Sequence, residues 1–221
     1  MVAKKTRKAA VSTIAAVETE PTAAELRGFF DGGGQFDNFS FARWRWVGEG
    51  PRSGLAEKIA KKRFPVPPVV GAEGTETAAK TELILPAFAP AEYISLDFFL
   101  RRYEEMQPAH EVNAYLQVNF AFPNAINLHH PAEMVRTFAK GYFVDEREMA
   151  VFLAAHAPWV AGSSNTGHLH LLVFPRRLRF AFGEFDHRLA SDQGNRDVHE
   201  AWSAFQKEWF QLWPRSLVEF G

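Results

Sequence analysis

Three histidines in the second half of the chain have the residue type and the spacing of a metal site. His168 and His170 are two positions apart in an alternating stretch, so on a β-strand both side chains lie on the same face. His156 ends the apolar run before them, and a hairpin would place it beside the pair. Neutral imidazoles bind Mn, Zn, Fe, Co and Ni, and such a site polarises a phosphoryl or carbonyl oxygen. The alternative is that these histidines are structural.

The surrounding pattern predicts the strands that such a site needs. Residues 149–155 form a short apolar run, predicted as a buried strand that ends in His156. Residues 162–167 predict a turn, and residues 168–174 predict the strand that pairs back. Upstream, residues 116–122 alternate apolar and polar side chains, which is typical of a half-buried strand.

Helices are predicted on either side of these strands. Ser95 is an N-cap for a helix that stops before Pro108, and Pro131 opens a second helix that Tyr142 closes. Residues 198–213 carry apolar side chains at helical spacing, and residues 39–47 predict a further strand. We therefore expect an α+β domain, in which an antiparallel sheet with a histidine-bearing central hairpin is covered by helices.

Composition excludes several classes of site and protein. The chain has 221 residues and no cysteine, which removes disulfides, zinc–thiolate sites, iron–sulfur clusters and cysteine nucleophiles. No apolar run reaches the about 18 residues needed to span a bilayer. Lys and Arg (25) nearly balance Asp and Glu (26), so net charge does not indicate nucleic-acid binding. The expectation is a soluble, cytoplasmic protein with no membrane partner.

The first part of the chain shows fewer signals. Residues 1–24 carry four basic side chains before the first acid and show no convincing period, which predicts a disordered basic arm. Residues 25–221 are expected to form a single domain, with a Pro/Gly-rich linker near residues 64–80.

Residues 116–177 resemble the core of the MobA/MobL-type relaxases, plasmid-mobilisation members of the HUH endonuclease superfamily. In that core a strand ends in proline, a helix follows, and then come a strand ending in histidine and a strand of the type Asn-x-x-His-x-His. Here these parts are residues 116–123, the helix around residues 134–142, residues 149–156 and residues 165–170. The wider resemblance covers roughly residues 95–213, and it implies an HUH-like domain.

The resemblance also implies a reaction. His156, His168 and His170 would hold Mg or Mn, and a tyrosine would attack the scissile phosphate of single-stranded DNA during plasmid or phage mobilisation or replication. The family places this tyrosine just after the first strand, whereas the first tyrosine of this chain is Tyr93. Tyr103 and Tyr142 are therefore the candidate nucleophiles. A degenerate relative would bind DNA without cutting it.

Five arginines are candidates for contact with nucleic acid. Arg43 and Arg45 alternate with tryptophans, a combination that suits base stacking with phosphate contact. Arg176, Arg177 and Arg179 follow the histidine strand and could form a phosphate-contacting rim at the site. The alternatives are a plain amphipathic edge strand for the first pair and a solvated strand end for the other three.

Two other functional classes remain open from the sequence. Gly162-x5-His168-x-His170 fits the opening of the cupin metal motif, although residues 174 and 175 are Phe and Pro where a glutamate ligand would be needed. A non-catalytic interaction protein with structural histidines is the other alternative. It predicts neither metal binding nor affinity for DNA.

Overall fold

The computed structural model of this chain describes residues 15–17, 39–48, 50–65, 77–122, 125, 127–161 and 167–213. Its centre is a sheet of five antiparallel strands in the order β2-β5-β7-β6-β4. Short strands β1 and β3 extend the β2 edge, and β8 pairs with the far end of β7. The strands are β1 Ala15–Val17, β2 Phe39–Val47, β3 Arg52–Ser53, β4 Lys80–Ile84, β5 Asn113–Phe122, β6 Met149–His156, β7 Gly167–Leu178 and β8 Phe182–Phe185.

Within the described residues, four α-helices cover the two faces of this sheet. They are α1 Leu55–Arg63, α2 Leu96–Glu105, α3 His129–Ala139 and α4 Asp192–Leu212. Short 3-10 helices occupy Ala91–Ile94 and Pro158–Ala161, and a π-helical turn, Lys140–Asp145, continues α3. The α+β class with an antiparallel sheet covered by helices is confirmed.

Each face of the sheet builds its own core, because side chains alternate along a strand. On the α3/α4 face, Trp202 of α4 packs on Phe120 of β5 with ring centroids 4.5 Å apart. On the α1/α2 face, Phe99 of α2 packs on Phe174 of β7 at 4.8 Å. Both faces of the central strands are therefore buried. This explains why Gln117, expected on the open side of a half-buried strand, is only 3% exposed.

The hairpin of β6 and β7 confirms the strand pairing expected for the histidines. His156 lies directly opposite His168, and Ala154 lies opposite His170. The neighbouring strand β5 places Asn119 opposite His170 on the other side of β7. Residues 162–166, predicted as the turn, lie outside the described residues.

The predicted helices are present, with small differences at their ends. The Ser95 hydroxyl accepts a hydrogen bond from the backbone N–H of Phe98, which confirms the predicted N-cap of α2. Helix α3 begins two residues before Pro131, at His129, whose backbone N–H donates to the Asn127 side chain. The α-helical hydrogen-bond pattern of α3 ends at Ala139, and Tyr142 lies in the π-helical turn.

The predicted arm and linker are only partly described. Residues 15–17 of the arm form strand β1, which pairs with β2 and β3, so these three residues correct the prediction of disorder. The other residues of the predicted arm lie outside the described part of the chain. Residues 66–76 of the linker also lie outside it, and strand β4 already begins at Lys80.

Two further points concern membrane-spanning helices and the cupin alternative. No helix in the described ranges combines the length and the apolar character needed to cross a bilayer. The cupin alternative is wrong, because a cupin is an all-β barrel. The described sheet is open, with β3 and β4 at its two ends, and helices cover both of its faces.

Candidate metal centre

The three candidate histidines converge at one end of the sheet, on the α1/α2 face. His156 is the last residue of β6, and His168 and His170 are near the start of β7. The ring centroids are 5.0 Å apart for His156 and His168, 4.8 Å for His156 and His170, and 5.0 Å for His168 and His170. We call these three residues the histidine cluster.

The nitrogen atoms of the histidine cluster have the spacing of ligands to one ion. One ring nitrogen from each histidine lies within 4.8 Å of the others. Nδ1 of His156 and Nε2 of His168 are 3.1 Å apart. Two nitrogens that each lie about 2.1 Å from a common ion, an ordinary metal–imidazole distance, would be this far apart at an angle of about 95°. The donor set therefore fits a divalent transition metal.

Acceptors outside the cluster fix two of these rings. Nε2 of His156 is 2.8 Å from the backbone oxygen of Lys62, and Nδ1 of His170 is hydrogen-bonded to Oδ1 of Asn119. A carbonyl oxygen only accepts, so in each pair the imidazole N–H donates. The other nitrogen of each ring then keeps a lone pair directed to the cluster. This is the usual support of metal-binding histidines, whose second nitrogen donates to a carbonyl or carboxylate.

Burial keeps two of the three imidazoles neutral. His156 and His170 are 7% and 8% exposed, whereas His168 is partly exposed. Loss of solvation lowers the pKa of His156 to about 4 and lowers the pKa of His170 well below its ordinary value. Neutral imidazole is the form that binds a metal, so two of the three ligands need no deprotonation at neutral pH.

An amide network on β5 and β2 supports the cluster. The Gln117 side-chain amide donates to Oδ1 of Asn119 at 2.8 Å, and the Asn119 amide donates to the hydroxyl of Ser40 at 2.9 Å. Sequence reasoning missed these three residues, because it assigned Gln117 and Asn119 to the solvent side of the strand. Two amides at positions i and i+2 of a strand were the available signal.

Lys62 is a further residue near the histidine cluster that was not identified from the sequence. Its side chain is 9% exposed at the C-terminal end of α1, and its positive charge contributes to the lowered pKa of both His156 and His170. Among the described residues, no Asp or Glu joins the three histidines as a ligand. A divalent ion here would therefore keep its charge, with a lysine nearby. Such a centre favours an anionic ligand.

Tyr103 does not lie at the histidine cluster. It is fully buried between Phe99 and Phe174, and its hydroxyl donates to the backbone oxygen of Ala114 at 3.0 Å. Phe174 is four residues beyond His170, which is about 13 Å along a strand. Burial also raises the pKa of Tyr103. The structure therefore places this phenol in the core and away from the histidine cluster, and its role as nucleophile stays a prediction.

Tyr142 lies on the opposite face of the sheet. Its ring stacks on Phe138 at 5.3 Å, within the core of the α3/α4 face, and the Arg147 guanidinium lies 3.7 Å from the ring centroid. The sheet thus separates Tyr142 from the histidine cluster. The chain has four tyrosines, and the other two, Tyr93 and Tyr115, are buried in the aromatic core of the α1/α2 face.

The three arginines of the expected phosphate rim lie at the other end of β7. The strand continues through Pro175 to Leu178, so Arg176 is six residues, or about 20 Å, beyond His170. The Arg176 guanidinium donates to the backbone oxygen of Gly183, Arg177 is exposed, and Arg179 pairs with Glu148 at 2.8 Å. The structure does not bring these residues to the histidine cluster, and their contact with nucleic acid stays a prediction.

Arg43 and Arg45 are also separate from the cluster. Arg43 lies opposite Leu116, whose side chain belongs to the α3/α4 face, and it pairs with Asp192 at the start of α4 at 2.6 Å. Arg45 is exposed. The strand that carries them is flanked by β1 and β5, which corrects the alternative of an edge strand. Their contact with nucleic acid stays a prediction.

Comparisons with known proteins show a likeness to solved structures. No protein-family model matches the chain, and no curated protein matches it. A solved structure described as "Molecular Basis of Vancomycin Resistance Transfer in Staphylococcus aureus" is similar, with a TM-score of 0.51 and 16% sequence identity. The match covers 62% of this chain and 71% of that chain. At this identity the likeness shows a shared fold.

Proposed function

We propose that this chain is an HUH-like, metal-dependent single-stranded DNA-binding domain of a plasmid or phage mobilisation system. The observation that carries the proposal is the composition of the histidine cluster. Three neutral imidazoles would hold a divalent ion without neutralising it, and the buried Lys62 adds a further positive charge. A phosphodiester is a ligand that such a centre suits. The resemblance to relaxases and the fold shared with a protein of resistance transfer support DNA as its source.

The residues of the site would have different roles in binding. His156, His168 and His170 would hold Mg or Mn, while Asn119 and the Lys62 carbonyl keep two of the rings oriented. When bound, the ion would supply a Lewis acid for a phosphate oxygen. The partly exposed His168 lies on the open side of the cluster, so the phosphate would approach there.

Binding is favoured over tyrosine-mediated nicking. Attack on phosphorus needs a hydroxyl within reach of the phosphate. Three of the four tyrosines are buried in the core of the α1/α2 face, and the half-buried Tyr142 packs on the opposite face of the sheet. The proposal therefore follows the degenerate branch of the relaxase resemblance, in which the site holds DNA without a covalent intermediate.

The test is binding of a fluorescein-labelled dT20 oligonucleotide, measured by anisotropy with Mn or with EDTA. We expect Mn-dependent binding that weakens as salt rises and is lost in the His168→Ala/His170→Ala variant. The control is His110→Ala, which removes an exposed histidine outside the cluster. Equal binding in EDTA, or unchanged binding in the double variant, would leave the histidines structural and overturn the proposal.

A denaturing gel of the same mixtures tests the covalent alternative. We expect no shifted protein–DNA band in the presence of Mn, using end-labelled single strands tiled from the replicon that encodes the protein. A Mn-dependent band that disappears in Tyr103→Phe or Tyr142→Phe would restore tyrosine attack and would contradict the assignment of binding alone.

A further inference from the structure

A cavity lies beside the histidine cluster, on the other face of the sheet. Its volume is about 230 Å³, and its walls include Lys80, Leu128, His129, Ala132, Ala155 and Trp159. Along the end of β6, Ala155 and Ala157 line the cavity, whereas His156, between them, belongs to the histidine cluster. Successive residues at the end of β6 face opposite sides of the sheet, so the cavity and the histidine cluster lie on either side of the same strand end.

Trp159 forms a wall of this cavity next to the metal-binding strand. A Cβ atom on Gly167 would come within 2.6 Å of the Trp159 ring and within 2.9 Å of Leu128. The indole therefore lies close against the backbone of Gly167, the residue before His168. Trp159 is nevertheless 38% exposed, so the ring can still be reached from solvent. A glycine at position 167 is needed for this close approach.

The lining has the chemistry of a site for a flat heteroaromatic ring. Trp159 offers an aromatic surface, Ala132 and Ala155 provide an apolar floor, and His129 and Lys80 supply polar atoms. The Lys80 side chain is 39% exposed, with its ammonium 3.7 Å from Glu82, so an anion can reach it from solvent. The volume is below the about 300–1,000 Å³ of pockets that take drug-sized ligands. It suits a single ring system.

We infer that this cavity binds one base of a single-stranded nucleic acid whose neighbouring phosphate lies at the histidine cluster. The inference rests on the proposed function and adds a base-binding subsite to it. The strand would pass around the end of β6 and β7, with the base stacked on Trp159 and the backbone near Lys80. Stacking of this kind is independent of sequence, because every base presents a π-face.

The experiment combines a protein variant with a change in the DNA. The affinity of Mn-loaded protein is measured for dT20 and for a 20-mer of abasic sites, with wild type and Trp159→Ala. We expect Trp159→Ala to weaken binding of dT20 about 10-fold and to reduce the preference for dT20 over the abasic strand by the same factor. Trp213→Ala, which removes another exposed tryptophan, should change binding of dT20 less than about two-fold.

Two further variants separate stacking from a defect in folding. Trp159→Phe keeps an aromatic surface and should retain most of the affinity for dT20. Ala132→Leu leaves Trp159 in place and fills the cavity, so it should reproduce the loss seen with Trp159→Ala. The thermal midpoint of each variant shows whether the domain has folded.

The outcomes distinguish the two levels of inference. Unchanged affinity for dT20 in folded Trp159→Ala, together with loss in His168→Ala/His170→Ala, would overturn the base subsite and leave the proposed function intact. An equal loss for dT20 and for the abasic strand in Trp159→Ala would also overturn the subsite, because the effect would not involve a base. Failure of wild type to bind dT20 with Mn would overturn both.

Discussion

The two ends of one sheet face differ in the kind of side chain that they bring together. Strand β7 contributes His168 and His170 at one end of the α1/α2 face and Phe174 at the other. Around Phe174, the rings of Tyr93, Phe99, Tyr103 and Phe182 pack edge to face or stacked, with centroids 4.8–6.1 Å apart. We call this group the aromatic end, and the histidine cluster with its amide network the histidine end.

The polar atoms at the aromatic end and at the histidine end indicate different roles for the two ends. At the aromatic end, the hydroxyl of Tyr103 has a backbone acceptor, so it belongs to the core. At the histidine end, ring nitrogens of three histidines face one another within 4.8 Å. Three imidazole nitrogens at this spacing form a donor set for a transition-metal ion. The convergence of three imidazoles favours an ion at the histidine end, whereas the satisfied hydroxyl of Tyr103 favours a purely structural role at the aromatic end.

The largest expected effect is on stability at the aromatic end. Replacement of Phe174 by Ala leaves a cavity beside the rings of Phe99 and Tyr103 and should lower the free energy of unfolding by about 3–5 kcal/mol. Urea denaturation measures this loss. Mn affinity, measured by titration calorimetry on the folded fraction, should stay unchanged. Loss of Mn binding in folded protein would show that the two ends are not independent.

The next effect is a pH dependence at the histidine end in metal-free protein. The pKa of His156 is about 4 when folded and about 6.5 when unfolded, so the unfolded state takes up the proton first as pH falls. The contribution of neutral His156 to stability is fully present above about pH 6.5 and is lost as the pH falls from about 6.5 to about 4. The loss should reach about 3 kcal/mol from His156, and His170 acts in the same direction.

Urea denaturation in EDTA at a series of pH values measures this slope. The His156→Gln variant should show a shallower dependence between pH 6.5 and pH 4, whereas His110→Gln, at an exposed position, should keep the wild-type slope. A stability that is flat through this range would contradict the buried, neutral state of these imidazoles.

A smaller effect is expected from the residue that orients His170. Asn119→Ala removes the acceptor of the His170 N–H and should weaken Mn binding about 10- to 100-fold. Asn119→Asp keeps an acceptor and should retain most of the affinity. The matched control is Asn113→Ala on the same strand, at its aromatic end. Calorimetry checks all three variants, and equal loss in Asn113→Ala would argue for a general effect on β5.

The smallest effect is expected from removal of the buried hydroxyl of Tyr103. Tyr103→Phe deletes one buried hydrogen bond to Ala114 and should lower the free energy of unfolding by about 1 kcal/mol. Mn affinity and binding of dT20 should not change. A clear loss of DNA binding in this variant, with the fold retained, would assign Tyr103 a part in function that its burial argues against.

Several helices and strands of the fold could be predicted from local sequence patterns. Strand β2 has the bounds expected from its alternation, and Ser95 caps α2 as predicted. The hairpin of β6 and β7 follows from an apolar run and a returning strand that carries two histidines at i and i+2. These features depend on neighbours in the sequence, so a single sequence contains them.

Contacts between distant residues could not be predicted in the same way. Lys62 is 94 residues from His156, and Asn119 is 51 residues from His170, so only the assembled fold brings them together. The distance of the three arginines from the histidine cluster has a related reason. Strand β7 was expected to end at Phe174, but it continues past Pro175, and each added residue moves Arg176 farther from the histidines.

Helix α1 is held by tertiary hydrogen bonds at both of its ends. The Glu104 carboxylate of α2 accepts from the backbone N–H of Leu55 at the start of the helix, and the Lys62 carbonyl near its end accepts from His156. The helix therefore acts as a strut about 13 Å long between α2 and the histidine end. Insertion of one residue would rotate everything beyond it by about 100° and turn the Lys62 carbonyl away from the imidazole. The length of α1 is thus as much a determinant of ligand orientation as any residue in the histidine cluster.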